Sequence, residues 1–288
     1  MLTIDGYTRT CGLIGHPVEH TLSPVIHNTL AELTGQKLCY VPLSVEQGFL
    51  RAAVEGAYAL NLLGTNVTVP YKSDVIPYLQ EIDGLAEKIG AVNTLVRVDG
   101  GFKGYNTDMP GLYRAMCADQ VTVRGEQVVI LGAGGVARAV AFMLAEQGAD
   151  RIFLMNRTLE RAERVADEVN RSAGRQIAVP VRMDGQLPAE RRYLAIQATS
   201  VGMHPQDGDV AIADPDFYRL IHTGYDLIFN PPKTRFMQLV EAAGGKAFNG
   251  AKMLLYQGII AFELWTGTQV TEEMAQIVFA AMQENGHV

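Results

Sequence analysis

The sequence predicts an α/β protein of two domains, and three observations predict it. The chain has 288 residues, enough for two apolar cores of moderate size. Residues 1–112 alternate strand-like and helix-like pieces. After Asp108 the character changes: an all-apolar strand, a glycine turn, an alanine-rich helix and a second strand form the βαβ unit of a parallel sheet.

In order, residues 10–14 read as a strand, with a turn at 15–17. Residues 24–34 read as a helix with Ser23 at its N-cap and Gly35 just past its end. A strand at 38–41 follows, then a helix at 45–60 whose apolar positions recur at Phe49, Ala53, Ala57 and Leu60. The strand at 64–69 stops at Pro70, which cannot donate to a central ladder. Residues 91–98 and 102–104 form a strand pair across a glycine turn. In the second half, strands are expected at 128–131, 152–155, 177–181, 194–198 and 225–229. Helices are expected there at 136–147, 159–171, 232–243, 256–266 and 272–284, with surface loops at 180–192 and 204–216.

The formal charge of −7 provides no basic footprint for nucleic acid or an anionic membrane. The N-terminus has no basic segment running into an apolar one, and no stretch reaches the length of a membrane span, so a cytoplasmic protein is expected. Cys11, Cys39 and Cys117 match no metal spacing and are expected to be small buried hydrophobes in a reducing compartment; no metal site is expected.

Gly132-Ala133-Gly134-Gly135-Val136-Ala137 stands between an apolar strand and a helix. Glycines two apart let backbone N–H groups approach a pyrophosphate at the helix start, and Ala137 is small enough for close helix–strand packing. A tight turn alone would also use these glycines. Where an NAD site usually carries a carboxylate, this chain has Asn156-Arg157-Thr158 and then Arg161. A guanidinium suits a 2′-phosphate, so NADP is the expected cofactor; the alternative is a solvated helix face.

Four polar patches complete the reading. Thr21 and Ser23 lie at a helix start, where hydroxyls and N–H groups either cap the helix or receive a carboxylate. Asn66 and Thr68 end a strand, with Lys72 beyond Pro70 positioned for proton exchange. Asp108 follows Asn106 and Thr107, with Asn93 on the preceding strand; a semi-buried carboxylate invites a partner, and Lys72 is the candidate. Gln257 opens an apolar helix, where it either satisfies local backbone or meets a ligand.

Eight ordered motifs then become specific. They are Thr21 and Ser23 before S-P, Asn66 to Lys72, Ala91 to Thr94, Gly104 to Asp108, Gly132 to Gly135, Asn156 to Thr158, Ala198 to Met203, and Met253 to Gln257. With them the chain resembles the shikimate dehydrogenase family, which includes quinate-accepting members, over essentially its whole length. The resemblance implies a substrate domain at 1–112, a Rossmann-like NADP-binding domain at 113–247, and C-terminal helices at 248–288 returning to the first domain. It implies NADPH-dependent, reversible reduction of 3-dehydroshikimate to shikimate in chorismate biosynthesis, by a monomer or homodimer. It makes Lys72 and Asp108 the catalytic pair, and gives the substrate hydroxyls to Asn66, Asn93, Asp108 and Gln257. It gives the carboxylate to Thr21, Ser23 and Thr68 with Tyr225 nearby, and the nicotinamide and its ribose to Thr199, Met203, Gly250 and Met253. Thr21 departs from the serine of most shikimate-specific members, and Ala251-Lys252 from the usual glycine and apolar pair. Quinate turnover, a folate-type dehydrogenase and a silent cofactor-binding relative are the alternatives.

Overall fold

The computed structural model describes residues 4–285, which fold as two compact units divided between Leu112 and Tyr113 and again between Met253 and Leu254. The N-terminal part runs β1 (Arg9–Gly15), α1 (Ser23–Thr34), β2 (Leu38–Ser44), α2 (Leu50–Ala59), β3 (Gly64–Val67), β4 (Glu81–Ile82), α3 (Gly84–Ile89), β5 (Thr94–Val98), β6 (Gly101–Tyr105) and α4 (Asp108–Ala118). Its strands form one sheet in the order β2-β1-β3-β5-β6-β4. β1 pairs parallel with β2 and β3, whereas β5 runs antiparallel to both β3 and β6. Val54, Val67, Val75, Leu95 and Phe102 lie in its core.

The second unit runs β7 (Gln127–Leu131), α5 (Gly135–Glu146), β8 (Arg151–Asn156), α6 (Leu159–Ala173), β9 (Ala178–Arg182), β10 (Tyr193–Gln197), α7 (Pro215–Arg219), β11 (Ile221–Asp226), α8 (Arg235–Ala242) and β12 (Lys246–Phe248). The sheet is all parallel in the order β12-β11-β10-β7-β8-β9, a doubly wound arrangement that reverses between β7 and β10. At the middle of the sheet the five residues of β10 are all buried, as expected of a strand inside a parallel sheet. Last come α9 (Ala251–Thr266) and α10 (Glu272–Asn285). From Leu254 onward the described chain belongs with the first unit, where Trp265 Nε1 donates to Leu95 O (2.9 Å). Among the described residues no helix is long and apolar enough to cross a membrane.

Several elements differ from expectation. α2 starts at Leu50, and its buried face is Leu50, Val54 and Ala57; Phe49 and Leu60 are 62% and 77% exposed. Ser23 is the first residue of α1 rather than its cap, with Leu22 before it making no side-chain cap bond. No helix is expected at 108–118, yet α4 runs there with Pro110 in its first turn, where a missing N–H costs nothing; a Cβ on Gly111 would lie 2.6 Å from Gln257 N. β11 ends at Asp226, whose Oδ1 accepts from Ile228 N (3.0 Å) and turns the chain out of the sheet, so 227–229 are not strand. β12, for which the sequence shows no strand pattern, completes a sheet of six where five or six strands are expected, and the second compact unit runs from Tyr113 to Met253. α9 begins at Ala251, which places Gln257 in a helix interior and not at a helix start. Of the cysteines, Cys11 is buried, Cys39 half-buried and Cys117 exposed, the last because α4 turns Gly111, Leu112, Ala115 and Met116 inward instead.

Candidate active site

In the first sheet the strand order reverses about β1, and α/β sheets receive ligands beyond the carboxyl ends of strands at such a reversal. Thr21 and Ser23 follow β1, and Thr68 and Lys72 follow β3. Because β5 is antiparallel to β3, with Thr94 opposite Asn66, Asn93 comes to the same edge. Because β6 is antiparallel to β5, with Tyr105 opposite Thr94, residues 106–108 come there too. The carboxyl edge of β3 therefore gathers four polar segments from distant parts of the chain.

Lys72 Nζ donates to Asp108 Oδ2 at 2.6 Å, with 32% and 18% of the two side chains exposed, so the pair is partly desolvated and still reachable. Asp108 Oδ1 accepts from Asn93 Nδ2 (2.8 Å). Asp108 opens α4, where its N–H donates to Asn106 Oδ1 (3.1 Å), and Asn106 Nδ2 donates to Ala91 O (3.0 Å). Asn93 Oδ1 accepts from Thr107 N (2.8 Å). Asn66, buried beside them, donates through Nδ2 to Thr94 Oγ1 (3.0 Å) and accepts at Oδ1 from the Tyr40 hydroxyl (2.8 Å). Burial holds the Tyr40 hydroxyl well above its usual pKa, opposed by a hydrogen bond with Ser23. The ring of His27 stacks on Tyr40 with centroids 4.2 Å apart. His27 is fully buried, and among the described residues neither ring nitrogen lies in hydrogen-bond geometry with a partner; desolvation pushes its pKa down to about 3, opposed by the neighbouring Asn66 side chain, and the imidazole is neutral.

Thr21 Oγ1 accepts from Ser23 N (3.2 Å) and donates to Ser23 Oγ (3.1 Å), so the two hydroxyls sit together at the start of α1. Gly15 leaves room for Thr68: a Cβ there would lie 2.4 Å from Thr68 Cγ2. Gln257 is buried in α9, its Nε2 donating to Leu254 O (2.8 Å). Tyr225 belongs to the second unit. It is a fully buried residue of β11, and its hydroxyl donates to Asp119 Oδ2 (3.2 Å); Asp119 is also ion-paired with Lys252.

The second unit presents its own site at the reversal between β7 and β10. Gly132 follows β7 at φ +113°, a conformation L side chains rarely adopt, and a Cβ there would meet Thr199 Cγ2 at 3.1 Å. Ala133 is half-buried, Gly134 precedes α5, and a Cβ on Gly134 or Gly135 would meet nothing within 4 Å. Open space thus stands over the first turn of α5, whose N–H groups lack intrahelical acceptors. Val136 is exposed at that turn, and Ala137 is fully buried against the sheet. Asn156 ends β8 and its Nδ2 donates to Thr158 O (2.8 Å). Thr158 precedes α6 without capping it, and Arg157 and Arg161 are exposed and form no ion pair among the described residues. A free guanidinium pair at this strand end, beside the open glycine turn, fits a dinucleotide carrying a 2′-phosphate. Thr199 bonds to Gln197 Oε1 through both N and Oγ1 (2.8 and 2.7 Å); Met203 is exposed, and Met253 half-buried. Gly250 cannot carry a side chain, since a Cβ would lie 2.2 Å from Leu227 O.

Three models of known families match the chain: the shikimate dehydrogenase substrate-binding domain over residues 13–95, shikimate/quinate 5-dehydrogenase over 116–180, and the shikimate 5′-dehydrogenase C-terminal domain over 250–273. A shikimate dehydrogenase (NADP⁺) of Methanopyrus kandleri is 42% identical over 95% of both chains. The chain belongs to the shikimate dehydrogenase family. Among solved structures, a family member in complex with NADP⁺ superposes with a TM-score of 0.86 at 36% identity, covering 96% of each chain. A quinate dehydrogenase of Corynebacterium glutamicum in complex with NAD gives 0.85 at 28% identity, covering 96% and 99%.

Tyr40, Thr94 and Thr107 belong to the polar cluster; Thr94 and Thr107 fall inside two of the motifs but carry no role there, and Tyr40 falls in none. The available signal is weak: a threonine directly after an asparagine, twice.

Proposed function

We infer that this chain catalyses the reversible reduction of 3-dehydroshikimate to shikimate with NADPH, a step of aromatic amino acid biosynthesis. The observation that carries the reading is the Lys72–Asp108 pair, anchored through Asn93 at the carboxyl edge of β3. NADPH supplies the hydride when bound. Lys72 hydrogen-bonds the carbonyl oxygen of 3-dehydroshikimate, steadies its developing negative charge and delivers the proton; in oxidation it receives the proton of the hydroxyl. Asp108 holds Lys72 and accepts from the neighbouring hydroxyl. Asn66, Asn93 and Gln257 bind ring hydroxyls, while Thr21, Ser23 and Thr68 donate to the carboxylate, helped by the positive end of α1.

The turn from Gly132 to Ala137 receives the pyrophosphate, and Asn156, Arg157, Thr158 and Arg161 receive the 2′-phosphate. Thr199, Met203, Gly250 and Met253 line the nicotinamide ribose. A second reading, quinate as substrate, is favoured by Thr21 and by the likeness to the quinate dehydrogenase.

Initial rates on shikimate and quinate, each with NADP⁺ and NAD⁺, test both readings. Shikimate with NADP⁺ is expected to be fastest. Lys72→Ala is expected to lose activity by about 1,000-fold, within the range for a proton-transfer group, while NADPH binding followed by fluorescence stays unchanged. A preference for quinate establishes the second reading, and a Lys72→Ala variant that retains turnover removes the role given to Lys72.

A further inference from the structure

Two buried amides of the first unit are oriented by partners that can play only one part. The backbone carbonyl of Asn93 can only accept, so Asn66 turns Nδ2 toward it (3.2 Å). The backbone N–H of Thr107 can only donate, so Asn93 turns Oδ1 toward it (2.8 Å). The remaining hydrogen of Asn66 Nδ2 then goes to Thr94 Oγ1 (3.0 Å), and Thr94 Oγ1 donates to Asn93 Oδ1 (3.1 Å). Thr107 Oγ1 lies 3.2 Å from Thr94 Oγ1 and accepts from Asn93 Nδ2 (3.0 Å). Thr94 is fully buried and, among the described residues, is the one side chain bonded to both amide side chains.

We propose that Thr94 is a positioning residue for the Lys72–Asp108 pair. Its hydroxyl couples the Asn66 and Asn93 amides, and Asn93 passes the resulting orientation to Asp108, whose other oxygen holds Lys72. The proposal rests on the functional reading above. Removing the hydroxyl while keeping the shape, as in Thr94→Val, leaves an Asn66 hydrogen facing a methyl group. A buried donor without an acceptor turns to find one, so the amide chain loses its single arrangement. A purely structural threonine would lower stability and leave turnover alone.

The test compares wild type, Thr94→Val and Thr94→Ser by kcat and KM for shikimate, by NADPH affinity, and by solvent exchange of the Asn66 and Asn93 side-chain amide protons in NMR spectra. Thr94→Val is expected to lower kcat at least about tenfold, as small displacements of reacting groups do. Its NADPH affinity is expected to stay within about twofold and its amide protons to exchange quickly, with Thr94→Ser restoring both kcat and slow exchange. A Thr94→Val kcat within about twofold of wild type, or a Thr94→Ser variant as impaired as Thr94→Val, overturns the proposal. Wild-type amide protons that exchange at solvent rates overturn it even if Thr94→Val fails to fold. A wild type inactive on shikimate with NADP⁺ would instead sink the functional reading, and amide exchange alone would then decide the role of Thr94.

Discussion

Gly64 has only a hydrogen for a side chain, and an indole fills the space. A Cβ at this position would lie 2.2 Å from Trp265 Nε1 and 2.3 Å from Leu95 O, the two atoms that share a hydrogen bond. Gly64→Ala must therefore break that bond or push β3 away from β5. The expected cost is about 3 kcal/mol, from overpacking together with a lost buried hydrogen bond. Urea unfolding followed by the fluorescence of Trp265, the sole tryptophan, measures it; a loss under about 0.5 kcal/mol would mean the ring repacks freely. The same scale shows what a sequence reveals of a site. Lys72, Asp108, Asn66 and Asn93 stand out because ionised and amide groups are unusual beside apolar strands. Thr94 does not, since a β-branched residue in a strand needs no explanation; its place depends on a register that sets it opposite Asn66. The hydrogen bond from Tyr225 to Asp119 is invisible in the sequence for a related reason: the two lie 106 positions apart in the chain.

α2 carries the lesson to the element. Phe49, Ala53, Ala57 and Leu60 fit a helical period, but so do Leu50, Val54 and Ala57, and only packing against the sheet selects the second set. Leu50→Ala is thus expected to cost about 2–4 kcal/mol and Leu60→Ala less than about 0.5 kcal/mol, although both delete a leucine from the same helix or its end. Equal costs in chemical denaturation would show that α2 packs by its other face. β1–β3, β5–β10, α1, α2, α5, α6 and α8–α10 are legible and β11 only at its last two residues, whereas α3, α4, β4, α7 and β12 are not. Two of these are strands of two and three residues, too short to show alternation. α4 is hidden by Pro110 and Gly111, whose positions in the first turn make them harmless there. α3 does leave a local signal, an Asp83 cap and Gly90 at φ +74° just past its end, but six residues are too few to show a helical period.

Over the whole molecule the two α/β halves are legible from the change of pattern after Asp108, and the return of the C-terminal helices follows from the family resemblance. How the two units answer pH is not legible, because it depends on burial. In the first unit, desolvation lowers His27 to about 3 from an ordinary 6.5. Its neutral ring must take up a proton when the unit unfolds in acid. The stability tied to it is fully present above pH 6.5 and falls on the way down, by on the order of 3 kcal/mol between pH 6.5 and 4. In the second unit, desolvation raises Asp226 to about 6 from 3.8, partly opposed by donation from Thr234 Oγ1 and Ile228 N. Its stabilising contribution is fully present below pH 3.8 and is lost as pH rises through 6, so acidification from 6 to 4 restores on the order of 2–3 kcal/mol. These two groups drive the two units in opposite directions over the same interval. Hydrogen exchange should show α1 and β2 amides losing protection between pH 6.5 and 4, relative to His27→Phe. Amides of β10 and β11 should gain protection from pH 6 to 4, relative to Asp226→Asn. Parallel responses of both units, with neither variant changing its own slope, would show that water reaches one or both groups in the folded protein and that burial does not set their charge.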